Sequence, residues 1–530
     1  MKSRRVFWIG MSAWVSLAFC APALAGAASA PAATYSPGGW PTLHRDAGNR
    51  RSVDTMVLSR EYTHWQAAGG ATVLTAPVTS PDGKQLYFTT GLAKGNSNLH
   101  AYAIDGTALW HAEPWTSARD GVDPCALLSS PIVDTRGDIY LSDCNQLFAF
   151  RPGGEVKWVV ELPPLQPGDW VAAGDHPVNA FTTAAFTAAG DLLGVTNFGD
   201  VLIIDRDTGK TLNRAYRLPG VLAPYASAEP MPDSVLGNGL MDPNFREWAW
   251  QLIFGGSMRS ANTPAVAANG RIYVVGSGAD KGVGALYALD VLPTATGLLV
   301  QEAFVTAIGL GSGSSPALSP HEDQVYVSDE EGWFYAIDAN TGVNNWKVKT
   351  QAAAGAAAVG TDGTIYALQA RAPAVVAINP KGEILWQSDF SGMLSQRLPS
   401  SLLFGDPVAA GNGNPTVTAD AVLVPVVYGY KVPLLGFTAP VQSVVAALDL
   451  KTGAAVRDVV SLPGDSSGIT AVLASGAILS SVGDALTSAV SPLKPLLDVL
   501  LPGDLVMMGS TGGVQVALPV TLPVTLPVMD

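Results

Sequence analysis

One unit recurs along the chain: a short β-run carrying Ile-Tyr, Leu-Tyr or a close equivalent, then a second run ending at a polar turn. Copies read "DGKQLYFTT…NLHAYAIDGTALW" to Trp110, "RGDIYLSDCNQLFAFRPGGEVKW" to Trp158, and "AGDLLGVTNFGDVLIIDRDTGKTL" around Asp205. "NGRIYVVGSG…ALYALD" to Asp290, "EDQVYVSDEEGWFYAIDANTGVNNW" to Trp346 and "DGTIYALQARAPAVVAINPKGEILW" to Trp386 follow. A seventh copy, "ADAVLVPVVYGY…VVAALDLKTGAA", is anchored by Asp449. Each run alternates apolar and polar residues over four to six positions between Gly, Asp or Asn turns, which is the pattern of short antiparallel strands. Most units open with a further apolar strand, such as "SSPIVD" at 129–134 or "SSPALS" at 314–319. Four strands per unit, repeated at a fixed period, specify an all-β fold, a β-propeller of four-stranded antiparallel blades. "GITAVLASGAILSS" and "LVMMGSTGGVQVAL" supply an eighth blade, closed by a strand near "THWQAAGG" at 63–70. Seven blades is the alternative count. The propeller then spans 63–518, after a lead-in segment at 26–62 and before a tail at 519–530, where Pro519, Pro523 and Pro527 oppose a regular central strand.

The segment "AIDANTGVNNW", Ala336 to Trp346, holds the unit's most specific chemistry. Ala336 is small where sheets meet closely. Asp338 can accept backbone N–H groups within the turn, and Gly342 can supply a positive φ. Trp346, on an outer strand, offers a ring to wedge against the next blade. Trp110, Trp158 and Trp386 hold related positions, whereas Asn213, Gln301 and Arg457 replace the tryptophan in blades 3, 4 and 7. All these roles fasten blades together.

These repeats resemble the PQQ-like propeller repeat of quinoprotein alcohol dehydrogenases, and equally that of the BamB propellers of outer-membrane barrel assembly. The opening "GGWPTLHRDAGNRRS" also looks like the start of such propellers. The resemblance covers nearly the whole chain after residue 25; it implies the fold and leaves activity open. It also places the tryptophan turn between blades, away from any cofactor.

Lys2, Arg4 and Arg5 precede the apolar run Val6–Phe19 and Ala-Leu-Ala at 23–25, which reads as a signal peptide (1–25) cleaved near Ala25. The expected location is periplasmic or secreted. Lipidation at Cys20 is disfavoured because Phe19 stands where Gly or Ala is required. Without the signal, the formal charge goes from −14 to −17 as three cations leave. That balance excludes nucleic acid as a partner. No later segment is long and apolar enough to form a transmembrane span. Cys125 and Cys144 remain, and in an oxidising compartment they are expected to form one disulfide, with buried free thiols as the alternative.

Long insertions fall at 214–260, 389–413, 428–443 and 483–503, and propeller topology sends them all to one face, along with Cys125 and Cys144. They are largely apolar, with Leu434, Leu435, Phe437, Leu497, Leu500 and Leu501. They either pack on one another or present a surface to an envelope protein or an apolar small molecule. Trp248 and Trp250 could stack on a planar ligand, and Arg259 with Asn262 could meet an anionic one in the central funnel. Asp175 and His176 are the weak candidates for an acid/base pair.

For enzymes of the quinoprotein family, the resemblance implies pyrroloquinoline quinone (PQQ) held between a tryptophan and adjacent cysteines, with Ca²⁺ on Glu, Asn and Asp, and an Asp base. No adjacent cysteine pair exists here, no Cys-x-x-Cys-His binds haem, and the histidines lack metal-ligand spacing. No cofactor and no metal are therefore expected. The sequence favours a non-catalytic binding or scaffold module. The alternative is a haem-free PQQ-dependent alcohol or aldehyde dehydrogenase with Ca²⁺.

Overall fold

The computed structural model describes residues 34–520 except 72, 91–97, 113–128, 144–145, 168, 170–178, 180, 182, 222–258, 261, 281, 312–313, 330, 351–355, 370–373, 391–397, 412, 433–437, 465, 484–492 and 510. Eight antiparallel sheets follow one another along the chain as the blades of a propeller. In blades 1 to 7 the innermost pieces are Val78–Thr79, Ile132–Val133, Ala185–Phe186, Ala265–Val266, Ala317–Leu318, Ala358–Val359 and Thr416–Val417. Blade 8 combines both ends of the chain. Tyr62–Ala67 is its outermost strand, and it pairs with Gly513–Pro519 from Tyr62 opposite Pro519 to Ala67 opposite Val514. Ser466–Val472 and Ile478–Val482 complete this blade, so the count is eight and not seven.

The repeat has a physical explanation in the register. Across blade 5 the row runs Ala317, Tyr326, Ala336, Trp346. Blades 1, 2 and 6 repeat it as Val78-Tyr87-Ala101-Trp110, Ile132-Tyr140-Ala149-Trp158 and Ala358-Tyr366-Ala377-Trp386. A methyl group between two large rings lets them meet over it: Tyr326 and Trp346 lie 6.1 Å apart, Tyr366 and Trp386 5.7 Å. A β-bulge follows this alanine in each of the four blades and turns the outer strand toward the next blade.

Each indole then fastens to the third-to-fourth-strand turn of the following blade. The Nε1 groups of Trp110, Trp158, Trp346 and Trp386 donate to the carbonyls of Pro152, Arg206, Pro380 and Leu450 at 2.9–3.0 Å. The rings lie beneath Gly154, Gly209, Gly382 and Gly453, where a Cβ would sit 2.3–2.9 Å from the nearest indole or valine atom. Trp65 does the same between blades 8 and 1, bonding the Ile104 carbonyl at 3.1 Å. Blade 4 uses Phe304 under Gly342, and blade 7 uses Arg457, whose Nη1 donates to Leu58 O at 3.1 Å.

Blade 3 has three strands, Ala185–Phe186, Leu192–Val195 and Val201–Ile204. Residues 211–218 cover its outer edge irregularly. There the Asn213 amide accepts from Ile203 N at 2.7 Å and donates to Val201 O at 2.9 Å, as a peptide group of a fourth strand would. Blade 7 has five strands because its inner edge is split between Val408–Gly411 and Thr416–Val417. On the turn side of blades 2 and 3, the fully buried Asp134 carboxylate meets Arg136 at 3.0 Å and Arg206 at 3.2 Å, while Asp207 takes Arg136 and Lys157.

The carboxylates of Asp338 and Asp449 each accept two backbone N–H groups and a threonine hydroxyl at 2.8–3.1 Å. The Thr341 and Thr452 hydroxyls, followed by the backbone bonds, hold both acids below the ordinary carboxylate range. A lowered folded value means the contribution is complete above the unfolded value of about 4 and is lost as pH falls through the folded values. In the double variant Asp338→Asn/Asp449→Asn, the drop in melting temperature between pH 5 and pH 2.5 is therefore expected to shrink. Scanning calorimetry at stepped pH checks this; an unchanged drop counts against these turns.

Candidate functional site

The strand order gives the molecule two unlike faces. Turns joining first to second and third to fourth strands are short and share one face. Connections between blades, and those between second and third strands, share the other, so the long insertions leave and re-enter the blades on that face.

The innermost strands of blades 1 to 7 carry backbone N–H groups directed at the central channel, and these need acceptors. The segment 35–57 supplies them by circling inside the channel near the turn face. Thr79 N donates to Trp40 O, Val133 N to Pro41 O, Val266 N to Ala47 O, Leu318 N to Gly48 O, Val359 N to Arg50 O and Val417 N to Arg51 O, at 2.7–3.0 Å. Blade 3 is tied differently, its Phe186 N donating to the Tyr35 hydroxyl at 2.9 Å. Val53 N returns a bond to Val417 O, and Asp420 accepts Val57 N and Leu58 N as the segment leaves toward blade 8. The plug is compact: Arg51 N reaches back to His44 O at 3.2 Å, and Arg45, Asn49 and Arg51 all adopt positive φ. For three non-glycine residues in seven positions, that is a local cost which the surrounding bonds hold in place.

The plug presents polar side chains toward the loop-rich end. Asn49 Nδ2 donates to Thr263 O and Pro316 O, which precede the inner strands of blades 4 and 5. Arg51 Nη2 donates to Asn414 O, likewise on the approach to blade 7's inner strand. Ser130, Thr183, Thr263, Ser315 and Ala357, each just ahead of the inner strand of blades 2 to 6, are all buried. Arg51 is 0% exposed and His44 3%. Burial, followed by the charge of Arg51, drives the His44 imidazole well below its usual range, so it is neutral.

On the loop-rich face the insertions of blades 6, 7 and 8 build a cap. The hairpin Val422–Lys431/Thr438–Leu448 rises beyond the other blades. Against its buried Tyr428, Tyr430 and Val432 pack Phe390, Leu398 and Phe404, along with Leu497, Leu501 and Met507 from around the short helix Lys494–Leu500. Tyr430 OH donates to Pro399 O at 2.7 Å, and Met508 N to Pro440 O at 2.8 Å, so three segments distant in sequence are locked together. Leu402, Leu403, Leu496, Val499, Leu500 and Val506 remain exposed on this cap, Val499 at 81%.

The candidate residues fall in different places. Arg259 introduces the inner strand of blade 4; its N bonds Asn197 O and its Nη1 bonds Phe198 O at 3.3 Å. It adjoins an ion cluster in which Arg217 grips Asp200 at 2.6 Å and Asp169 at 2.9 Å. Asn262 donates to Val275 O at 2.9 Å, fastening its own blade. Asp175, His176, Trp248, Trp250, Cys125, Cys144, Leu434, Leu435 and Phe437 lie outside the described residues. Sequence reasoning did not single out His44, Asn49 and Arg51. Their signal was the stretch "GGWPTLHRDAGNRRS", which resembles the start of such propellers but marks no single residue.

Among the described residues no three His, Cys, Asp or Glu side chains converge as metal ligands. No described helix is long and apolar enough to cross a membrane.

Eight radial units, mainly four-stranded, with tryptophan docking and a plugged channel define a PQQ-like propeller. The family model described as outer membrane protein assembly factor BamB matches residues 152–421 and 294–472, together more than half of the sequence. The chain belongs to this BamB-like propeller family. It is similar to the outer membrane protein assembly factor BamB of Burkholderia pseudomallei, 32% identical over 93 residues, a match spanning 18% of this chain and 24% of that protein. Among solved structures it resembles a europium-containing methanol dehydrogenase at 13% identity, covering 92% of this chain and 98% of that one with a TM-score of 0.56. It also resembles the quinohemoprotein alcohol dehydrogenase of Comamonas testosteroni, at 13% identity, 93% and 82% coverage and a TM-score of 0.57. Identities this low speak for the shared fold alone.

Proposed function

We propose that this protein is an exported, non-catalytic binding module of the cell envelope whose loop-rich face receives a protein partner. The carrying observation is the cap of blades 6 to 8. It is held by a buried core and by hydrogen bonds between distant segments, yet leaves Leu402, Leu403, Leu496, Val499 and Val506 in solvent. Apolar side chains displayed on a fixed platform favour association with another apolar surface. Similarity to the Burkholderia relative, an outer membrane protein assembly factor, supports an envelope setting. The charge of −14 and the sparse lysine and arginine, 30 residues in 530, argue against an anionic membrane surface as that partner.

A photo-crosslinking amino acid placed at Leu402 or at Val499 tests this in the cells that make the protein. One adduct with an envelope protein is expected from both positions, and Val499→Glu is expected to reduce the Leu402 adduct at least tenfold. Absence of any adduct from either position overturns the proposal. So does steady dye reduction by alcohols or aldehydes after loading with PQQ and Ca²⁺.

A further inference from the structure

Arg50 and Arg51 are neighbours in sequence and opposite in circumstance. Arg50 faces the turn side, paired with Glu322 at 2.9 Å and Asp46 at 3.8 Å. Arg51 points inward, is 0% exposed, and among the described residues has no carboxylate partner. Its one hydrogen bond from the side chain goes to the neutral Asn414 carbonyl, while Nε and Nη1 are buried without a partner. Beside it both ring nitrogens of His44 are buried and equally unpartnered. His44 is close enough for the guanidinium charge to be felt at its ring, and the two residues are joined through Arg51 N to His44 O.

An arginine stays protonated at any ordinary pH, so it cannot relieve its burial by neutralising. A buried cation without a counter-charge costs several kcal/mol. Here that cost falls in a loop already carrying three left-handed residues. At position 51 the backbone bonds Arg51 N to His44 O and Val417 N to Arg51 O do not depend on the side chain, which adds one bond, to Asn414 O. A glutamine or methionine would fill the same volume without the charge. An anion meeting the guanidinium would account for an arginine at this position.

We propose that the plug closes around one small monovalent anion, of halide or carboxylate size, bound by the Arg51 guanidinium and the N–H of His44. The anion belongs to the interior of the propeller and is independent of the partner-binding cap. Its chemistry is common to two sources, a free inorganic halide and the carboxylate of a small organic acid. Because Arg51 has no exposed surface, the anion is captured as the chain folds and exchanges only when the plug opens.

The test uses the whole purified protein, refolded from urea in sodium bromide, sodium acetate or sodium isethionate, with ionic strength held constant by isethionate. A single site predicts a rise in Tm of about 1 °C for each tenfold increase in the bound anion above its Kd in a chain of this size. Bromide-refolded crystals are expected to show one anomalous peak in contact with Arg51. A response to bromide identifies a halide; a response to acetate with none to bromide identifies a carboxylate. Arg51→Gln is expected to abolish the response. Should that variant not fold, His44→Gln, expected to weaken the response at least tenfold in concentration, serves instead. Indifference of Tm to both anions overturns the proposal, as does a crystal structure in which a carboxylate of the chain itself, or water alone, contacts Arg51. A bromide peak without any Tm response marks an adventitious ion only and equally overturns it.

Discussion

A variant whose chain starts at Leu58 is expected to lose its cooperative thermal transition or to melt at least 10 °C below the full-length protein. The strand Tyr62–Ala67 would still be present, so all eight blades could form. What disappears is the ring of carbonyls at Trp40, Pro41, Ala47, Gly48, Arg50 and Arg51 that accepts the inner N–H groups of six blades. Trp40, Val53 and Val57, all buried in the core shared by blades 1, 7 and 8, leave with it. Water entering the channel restores part of the hydrogen bonding. A net loss near 1 kcal/mol per bond together with the lost burial still comes to about 8–12 kcal/mol. Domains are commonly stable by about 5–15 kcal/mol in total, so this loss is comparable to the whole. Scanning calorimetry of the shortened chain decides it; a melting temperature within 3 °C of full length would show that the blades stand without their plug.

Trp386→Ala is expected to cost about 3–5 kcal/mol, the largest effect of any single docking residue. Trp386 is only 8% exposed, whereas the other docking tryptophans are less completely covered. Its ring rests against Tyr366 and under Gly453, and its Nε1 holds the Leu450 carbonyl. The alanine variant loses the burial and opens a cavity between blades 6 and 7. Trp386→Phe keeps most of the ring and is expected to cost about 1–2 kcal/mol, chiefly the lost hydrogen bond. Gly453→Ala approaches the same contact from the other side, since φ is +69° and the added Cβ would lie 2.3 Å from the indole. Urea midpoints with unchanged m-values check the order Ala, then Phe. Equal losses for both Trp386 variants would place the effect in the hydrogen bond instead of the packing.

The blades could be read from the chain because their repeat is a matter of side chains. Tyr326, Ala336 and Trp346 occupy one cross-strand row, and the same residue types return wherever that row is built. Trp65 escaped the pattern because its strand is supplied from the start of the chain, without the turn that precedes every other docking tryptophan. Asn213 was visible only as a missing tryptophan; that its amide copies a peptide group depends on the path of residues 211–218, which has no periodic signal. The plug was hidden for a deeper reason. Six of its bonds to the blades are accepted by carbonyl oxygens, which every residue has, so neither composition nor period records them. Arg51 reads as an ordinary surface cation until its backbone is seen to lie inside the channel. Likewise the cap residues Phe404, Tyr430 and Leu497 look like three unrelated apolar loops, because only the shared face of the propeller brings them together.

The closure of blade 8 sets an order for folding. Tyr62–Ala67 and the plug are made first, yet their partners Val417, Asp420 and Val514–Pro519 are made among the last. Contacts spanning some 450 residues are slow to find, because the loop they close must first be brought together. Trp40 and Pro41 meet their partners as soon as blades 1 and 2 are made, whereas Arg51, Val53, Val57 and Tyr62–Ala67 wait for blades 7 and 8. The ring is completed by its oldest segment, which ties a nascent polypeptide into a finished molecule in one late step.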